Sequence, residues 1–387
     1  MKKLAIVTTH PIQYYAPVFQ LLHQNQKIEI KVFYTWGEAS VKKHDPGFDR
    51  TIDWDIPVLE GYPYQWVKNT AKKPGSHHFK GIINPELIPQ LKLWQPDIIL
   101  VFGWAYQSHL KVLRYFKNKI PVYFRGDSTL LDDKPGIKLF LKSIFLKWVY
   151  KHVDHAFFVG TNNKAYFKKY GLKDTALSFA PHAIDNKRFS LNRKQEAQRL
   201  RISLGINDDE IVVLFAGKLE EKKSPLLLLS AFLMLNAPKT HLLFAGNGEL
   251  EIQLRKKAAD HQNVHFIDFQ NQSFMPVVYQ ACDLFCLPSK GPGETWGLSV
   301  NEAMACRKPI LVADKCGCAI DLVKPDNGII FQSGNSDELV AALKKLVDDT
   351  ELLYNYGRES EKRIATWNFD QIAEAIEAKL LPEKLCN

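Results

Sequence analysis

Nowhere in the 387 residues do apolar side chains run uninterrupted for the roughly 20 positions a spanning helix needs, so a helical membrane span is not expected. No small-residue cleavage pattern follows the opening Met1-Lys-Lys-Leu-Ala-Ile-Val-Thr-Thr-His10, which passes straight into Pro11 and Gln13 and reads as a first buried strand. Cysteine is scarce and lopsided. All six (Cys282, Cys286, Cys306, Cys316, Cys318 and Cys386) fall in the second half, at spacings that suit neither a zinc site nor a small disulfide scaffold. A reducing cytosol is the expected compartment, with buried or incidental thiols. Internal repeats and low-complexity tracts are lacking too.

What is present suits a two-domain protein, since one hydrophobic core seldom extends beyond about 300 residues. Charge is unevenly divided: residues 1–190 hold 28 Lys+Arg against 15 Asp+Glu, and residues 191–387 hold 23 against 27. The basic first half either faces something anionic (a membrane surface, a phosphate-bearing acceptor, a nucleic acid) or is a lysine-rich solvated surface.

Apolar runs alternate with helical patterns at Leu4–Thr9, Ile28–Tyr34, Asp97–Phe102, Pro121–Phe124 and His155–Val159, and again at Ile211–Ala216, His241–Ala245, Val264–Phe269, Asp283–Leu287 and Pro309–Ala313. This rhythm predicts an α/β protein of two doubly wound parallel sheets with an active cleft at the strands' carboxyl ends. The polar stretch Asp185–Asp209 is the linker candidate. Domains are expected over 1–190 and 191–368, with a last helix, about 369–387, packing back on the first.

Two segments of the first half stand apart. An insertion of roughly residues 35–84 holds Trp36, Trp54, Tyr62, Tyr64 and Trp66, which would either stack on sugars or lipids or core a small hairpin around Tyr62–Val67, the simpler expectation. Lys134–Lys151 is basic and apolar; Lys134, Lys138 and Lys142 share one helical face while Lys147 and Lys151 fall opposite. A membrane-surface helix and a largely buried helix with lysines at its ends both fit.

The chemistry concentrates after Cys282-Asp-Leu-Phe-Cys-Leu, where a glycine-rich loop leads into a short helix. Gly293 and Gly297 permit close backbone approach, and amides around Gly297, Leu298 and Ser299 open the helix, where the dipole favours a phosphate. Glu294 and Glu302 repel that phosphate and suit hydroxyls instead, a sugar on one side and a ribose on the other. For Glu302 a local alternative exists, because Ser299-Val-Asn-Glu302 matches a capping box. Thr295 and Trp296 complete the donor loop. A second cluster, Phe215-Ala-Gly-Lys-Leu-Glu-Glu-Lys-Lys-Ser-Pro225, places Lys218, Lys222 and Lys223 between a strand and a helix, either as solvated charges or to neutralise a departing diphosphate. Gly246 and Gly248 of Phe244-Ala-Gly-Asn-Gly-Glu249 fit a structural role near the base.

Glu294, seven residues, Glu302, then Ala-Met-Ala and Lys308-Pro-Ile-Leu-Val-Ala-Asp314 closely resembles the Glu-x7-Glu signature of the retaining GT-B glycosyltransferases often called family four. Lys218 and Lys223 match the arginine and lysine of that family's Gly-Arg-Leu-x3-Lys-Gly stretch, and Gly317 to Phe331 is similar to a following loop and helix; the likeness spans most of residues 205–370. It implies a GT-B fold, two Rossmann-like domains facing across a cleft. It also implies retention at the anomeric carbon, with Glu294 on hydroxyls of the donor sugar and Glu302 on the ribose.

The first half carries its own candidates. His10-Pro-Ile-Gln13-Tyr-Tyr, Asp45-Pro-Gly-Phe48 and Trp54-Asp-Ile-Pro57 resemble one subgroup of the family; His10 or Gln13 would contact phosphate, or His10 would be a buried turn residue. Tyr123-Phe-Arg-Gly-Asp127 stands where relatives often place a histidine, so Arg125 and Asp127 either line the acceptor side or pair with each other. Ala180-Pro-His-Ala-Ile-Asp185 is similar to the family's interdomain stretch and puts His182 at the cleft or packs it in the hinge.

The expected function is transfer of a sugar from a UDP- or GDP-linked donor to a hydroxyl, with no cofactor and no metal, since no Asp-x-Asp stands in a suitable loop and lysines with a helix dipole can do a cation's work. A glycan or lipid-linked acceptor is expected, in bacterial surface polysaccharide or glycolipid synthesis, at a cytoplasmic site with peripheral contact to anionic membrane and no nucleic-acid partner. A nucleotide-sugar epimerase and a non-catalytic glycan- or nucleic-acid-binding protein are the alternatives.

Overall fold

The computed structural model describes residues 1–41, 43–45 and 50–381; positions 46 to 48 of the Asp45–Phe48 motif and Cys386 lie outside them. The chain divides into two compact units, one made of Met1–Lys43, Ile56–Pro181 and the segment from Phe369 on, the other of His44–Asp55 and His182–Asn368.

In the first unit the apolar runs become β1 (Lys3–Thr8) and β2 (Glu29–Tyr34), followed after the short ladder β3 (Lys43–Asp45) and β4 (Arg50–Ile52) by β5 (Tyr64–Trp66), β6 (Ile98–Phe102), β7 (Val122–Arg125), β8 (His155–Phe158) and β9 (Leu177–Phe179). Seven of these form one sheet in the order β5-β2-β1-β6-β7-β8-β9, and its pairs are parallel. Helices cover both faces, so Leu4, Ala5, Ile6 and Val7 are all fully buried, which is why these strands read as continuous apolar runs and not as alternating ones.

Tyr62–Val67 is not a hairpin. Its strand β5 lies parallel to β2, Val32 opposite Tyr64 and Tyr34 opposite Trp66. A parallel neighbour requires a long crossover, and that requirement accounts for part of the length of the insertion. The rings do form an aromatic cluster: the Tyr34 and Tyr62 hydroxyls are 2.6 Å apart, and Trp66 lies 5.1 Å from the Tyr34 ring. The helix Phe369–Leu380 belongs to this unit and packs on the helix Ala16–Gln24. Its buried Glu377 takes hydrogen bonds from Asn25 and Lys27, each at 2.8 Å.

The second unit holds β10 (Ile211–Ala216), β11 (Thr240–Ala245), β12 (Val264–Ile267), β13 (Leu284–Leu287), β14 (Ile310–Ala313) and β15 (Gly328–Phe331), in the order β12-β11-β10-β13-β14-β15, again parallel. The polar stretch read as a linker is folded into the helices Asn186–Ser190 and Lys194–Ser203. Asp185 caps the first by accepting from the Arg188 amide at 3.0 Å, and Arg201 of the second is buried, donating to the carbonyls of Ala281 and Asn207 and to Asp283. Polarity there reflects capping and carbonyl bonding. His44–Asp55 joins this unit through Asn271, which donates to the Asp53 carbonyl at 2.6 Å, and through Trp54, 6.5 Å from the Phe269 ring.

Behind the first sheet's strand ends His109 is fully buried, with Nε2 2.8 Å from Thr35 Oγ1 and Nδ1 3.0 Å from the Gly103 carbonyl. Burial lowers its pKa to about 4, against two carbonyl contacts that pull it up. The unfolded chain takes up that proton near pH 6.5. Between about 6.5 and 4 the unfolded state therefore binds more protons, and stability falls as pH falls through this window. His109→Gln is expected to cost about 1–3 kcal/mol at pH 7.5 and to give a shallower decline in chemical denaturation at pH 7.5, 6 and 5. His155 and His265, also lowered to about 4 by burial, preserve part of the slope.

Candidate active site

Where strand order reverses, neighbouring crossovers leave opposite faces of the sheet and open a crevice at the carboxyl ends. In the second unit the reversal falls between β10 and β13, so the loops after these two strands define the crevice. They carry the lysine cluster and the Glu294 loop.

The first loop turns at Gly217 (φ +145°), passes through the single turn Glu221–Lys223 and enters the helix Pro225–Leu235 through Ser224 in the left-handed conformation. Its three lysines are not equivalent. Lys223 Nζ lies 2.7 Å from Glu294 Oε2, with only 14% and 9% of the two side chains exposed. Burial works against the Lys223 charge, but the field and hydrogen bond of Glu294 prevail and hold its pKa above the usual lysine range. Lys222 pairs with Glu220 at 3.3 Å, and Lys218 is half-buried beside Gly217.

The second loop delivers Glu294 to that pair, where Ser289 Oγ donates to Oε2 at 3.2 Å. It ends at Gly297 (φ +94°), which caps the helix Leu298–Ala305; a Cβ there would meet Cys316 Sγ at 2.7 Å. The amides of Leu298 and Ser299 are thus among the orphan donors of a helix start. Because the helix begins at Leu298, Ser299 is not its cap, and the capping-box reading of Glu302 fails. Glu302 is buried and accepts from the Tyr279 hydroxyl at 2.8 Å. Trp296 is a packing residue, its Nε1 donating to Asn301 at 2.9 Å and its ring 5.4 Å from Trp367 and 5.5 Å from His182. Gly293 (φ +89°) is exposed and Thr295 half-buried.

Two further loops brace these. Gly246 and Gly248, after β11, lie so close to the first loop that added Cβ atoms would fall 2.2 Å from the Gly217 oxygen and 2.5 Å from the Leu219 oxygen. After β14, the Gly317 amide donates to the Glu294 carbonyl at 3.1 Å, the Cys318 amide to the Trp296 carbonyl at 2.9 Å, and a Cβ on Gly317 would sit 1.7 Å from the Thr295 oxygen. Cys316-Gly-Cys318 is therefore a backbone brace with buried thiols.

In the first unit the reversal falls between β1 and β6. His10 follows β1, its Nδ1 2.9 Å from Thr9 Oγ1 and its ring edge-on to Trp36 at 5.0 Å, and Gln13 is buried nearby in sequence. Arg125 is 2% exposed and donates to the carbonyls of Ala180 and Pro181 at 2.7 and 2.8 Å. Its guanidinium thus holds the end of β7 to the segment after β9. Asp127 is half-buried, and burial together with its charge pushes the Tyr15 hydroxyl up to about 12.

A family profile described as Glycosyl transferases group 1 matches residues 196–363. Residues 196–363 are thus similar to the glycosyl transferases of group 1. The D-inositol 3-phosphate glycosyltransferase of Rhodococcus erythropolis is 26% identical over 225 residues, 55% of this chain and 50% of that protein. A GDP-mannose-dependent monoacylated alpha-(1-6)-phosphatidylinositol monomannoside mannosyltransferase of Corynebacterium glutamicum is 28% identical over 205 residues, 51% and 54% of the two. The chain thus spans about half the length of the curated relatives it matches. Among solved structures, Anabaena Alr3699/HepE in complex with UDP and glucose aligns with a TM-score of 0.72 at 17% identity, over 98% of this chain and 99% of that one. WaaG, a glycosyltransferase involved in lipopolysaccharide biosynthesis, aligns at 0.68 and 15%, over 98% and 100%. The two-unit α/β architecture is the GT-B fold.

In the second unit, Ser289 and Tyr279 had no sequence signal of their own, since each acts through a carboxylate contributed by another segment. Gly317 had one, a glycine between two cysteines after a buried strand. The bracing makes a graded prediction. Gly317→Ala is expected to cost about 3 kcal/mol or more by overpacking, whereas Gly293→Ala, with open space around it, costs only the left-handed penalty of about 1–2 kcal/mol. Urea unfolding of the two variants measures the difference.

Proposed function

We propose that the protein is a retaining glycosyltransferase that moves a sugar from a UDP- or GDP-linked donor to a hydroxyl of a glycan or lipid-linked acceptor, in surface polysaccharide or glycolipid synthesis at the cytoplasmic face of the membrane. The observation that carries the reading is the largely buried Lys223–Glu294 pair at the strand-order reversal, beside the amino end of the helix Leu298–Ala305. Lys223 is suited to an anion and Glu294 to hydrogen-bond donors. A sugar diphosphate supplies both, its phosphates to the lysine and the helix amides, its hydroxyls to the carboxylate.

In this reading the bond between the anomeric carbon and the diphosphate oxygen breaks while the acceptor oxygen bonds to the same face of that carbon. The acceptor proton passes to the departing phosphate oxygen, and Lys218, Lys223 and the helix dipole stabilise the negative charge building there. Glu302 holds the ribose, with Tyr279 fixing its orientation. Gly246 and Gly248 keep the adjoining loop close enough to border the base. Asp127 stands as the acceptor-side carboxylate, positioned with Arg125, and His10, Gln13 and His182 are the remaining acceptor or cleft residues.

Thermal-shift screening against UDP- and GDP-sugars identifies the donor, and a panel in which none raises the melting temperature overturns the reading. With the donor in hand, Glu294→Ala is expected to lower kcat about 100-fold or more while leaving nucleotide affinity within about threefold. Glu302→Ala should weaken both. Lys223→Met should lower kcat on the same scale as Glu294→Ala, and EDTA should leave turnover unchanged. Negligible, equal effects of the two glutamate variants would remove the assignment, and epimerised sugar formed without acceptor would replace the transferase with an epimerase.

A further inference from the structure

The helix Ile137–Tyr150 of the first unit shows apolar side chains on two opposite faces. At 100° per residue, Leu146, Val149 and Tyr150 turn toward the core and are at most 2% exposed. On the other side Ile137, Phe140, Leu141, Ile144 and Phe145 fall in one arc of about 140°. They are 76%, 63%, 60%, 53% and 40% exposed. Five large apolar residues side by side on the outside of one helix form a contiguous patch, unlike the singly scattered residues an ordinary surface carries.

The charges around this patch say what covers it. Lys138 borders one edge of the arc and Lys147 the other, both exposed, and Lys134 precedes the helix. Lys142, further round, is drawn back to Asp133 at 2.8 Å; the same carboxylate also holds Lys169 at 2.9 Å and so ties this flank to the body of the unit. At the patch margin Trp104 and Trp148 pack on Phe145 at 5.5 and 5.7 Å, amphipathic rings of the kind that sit at headgroup level. A second copy docked face to face would set Lys138 and Lys147 near their own counterparts, so self-association meets like-charge repulsion. A layer that is apolar within and anionic at its surface meets no such conflict. It accepts the rings and branched chains below the headgroups and the lysines among them.

We infer that the outer face of the helix Ile137–Tyr150 docks on an anionic lipid bilayer, lying in the interface without crossing it. The inference deepens the lipid-linked acceptor reading, since it brings the protein to the surface where such an acceptor resides, yet it rests on the helix alone.

The test is flotation of the full chain, without donor or acceptor, with vesicles of phosphatidylcholine containing about 30% phosphatidylglycerol and with pure phosphatidylcholine vesicles. The wild type is expected to float with the anionic vesicles, at least about tenfold more than with neutral ones, and to be released in part by 0.5 M salt. Phe140→Ser/Ile144→Ser should abolish flotation with an unchanged melting temperature, because neither side chain supports the core. Lys138→Glu/Lys147→Glu, which keeps every apolar residue, should lower it about tenfold or more. Wild-type protein that stays down with both vesicles overturns the inference, as do variants that float like the wild type. Sedimentation showing a wild-type dimer that the serine variant dissolves would assign the face to a second copy instead. Donor-induced thermal shifts that survive in the serine variant keep the donor reading separate from either outcome.

Discussion

A largely buried ammonium and a buried carboxylate 2.7 Å apart, Lys223 and Glu294, set the terms for the second unit. Losing either partner of such a pair leaves an uncompensated charge in a poorly solvated place, at a cost of about 3–5 kcal/mol. Two loops from different strands must therefore be held in register. The backbone does this directly. Gly246 lets the loop after β11 touch the carbonyl of Gly217, and Gly317 lets the loop after β14 touch that of Thr295, so each loop of the pair has a glycine-mediated brace on its outer side. Such contacts arise because parallel neighbours end at the same level, and only a residue without Cβ lets two chains leaving adjacent strands come that close.

The same logic explains what could be seen from the sequence. Strands buried on both faces leave continuous apolar runs, so ten of them were legible to within a few residues. Loops that approach anions or one another through the backbone leave glycines at fixed places, so Gly246, Gly248, Gly293 and Gly297 stood out, while the bracing at Gly217 and Gly317 did not. What stayed hidden depends on partners distant in the chain. The strand β5 is three residues long and its alignment is set by β2, not by a local turn. Arg125 resembles a ligand-binding arginine in sequence, but the carbonyls that occupy it lie 55 and 56 residues away. Ser299 to Glu302 has the spacing of a capping box; what defeats it is a helix that begins two residues earlier than that box requires and a tyrosine from another helix.

The helix Ile137–Tyr150 was ambiguous for a different reason. Judged by its lysines, which point both ways, it suits neither a surface helix nor a buried one. Judged by its apolar residues it has two apolar faces, and periodicity alone cannot say which of them meets the protein. Burial of Leu146, Val149 and Tyr150 against exposure of Phe140 and Ile144 decides this, because one helix cannot turn both faces to the same core.

Under the proposed function the two units differ in how strongly their sequences announce their tasks, and the difference is chemical. Phosphates are bound by main-chain amides, helix dipoles and ammonium groups, which impose glycines and lysines at short, fixed intervals. A hydroxyl acceptor is recognised by single hydrogen bonds from side chains on several strand ends, with no local spacing imposed. In the first unit Tyr15, Arg125 and Asp127 converge electrostatically although more than 100 residues separate the first from the others. Under the proposed function, an acceptor side assembled in this way can change its half-buried residues, such as Asp127, one at a time, whereas Arg125 ties β7 to the segment after β9 and Gly246 and Gly317 hold the loops that carry Lys223 and Glu294. Under the proposed function, acceptor choice is therefore the property free to vary on this scaffold, and sugar transfer is the chemistry the backbone holds fixed.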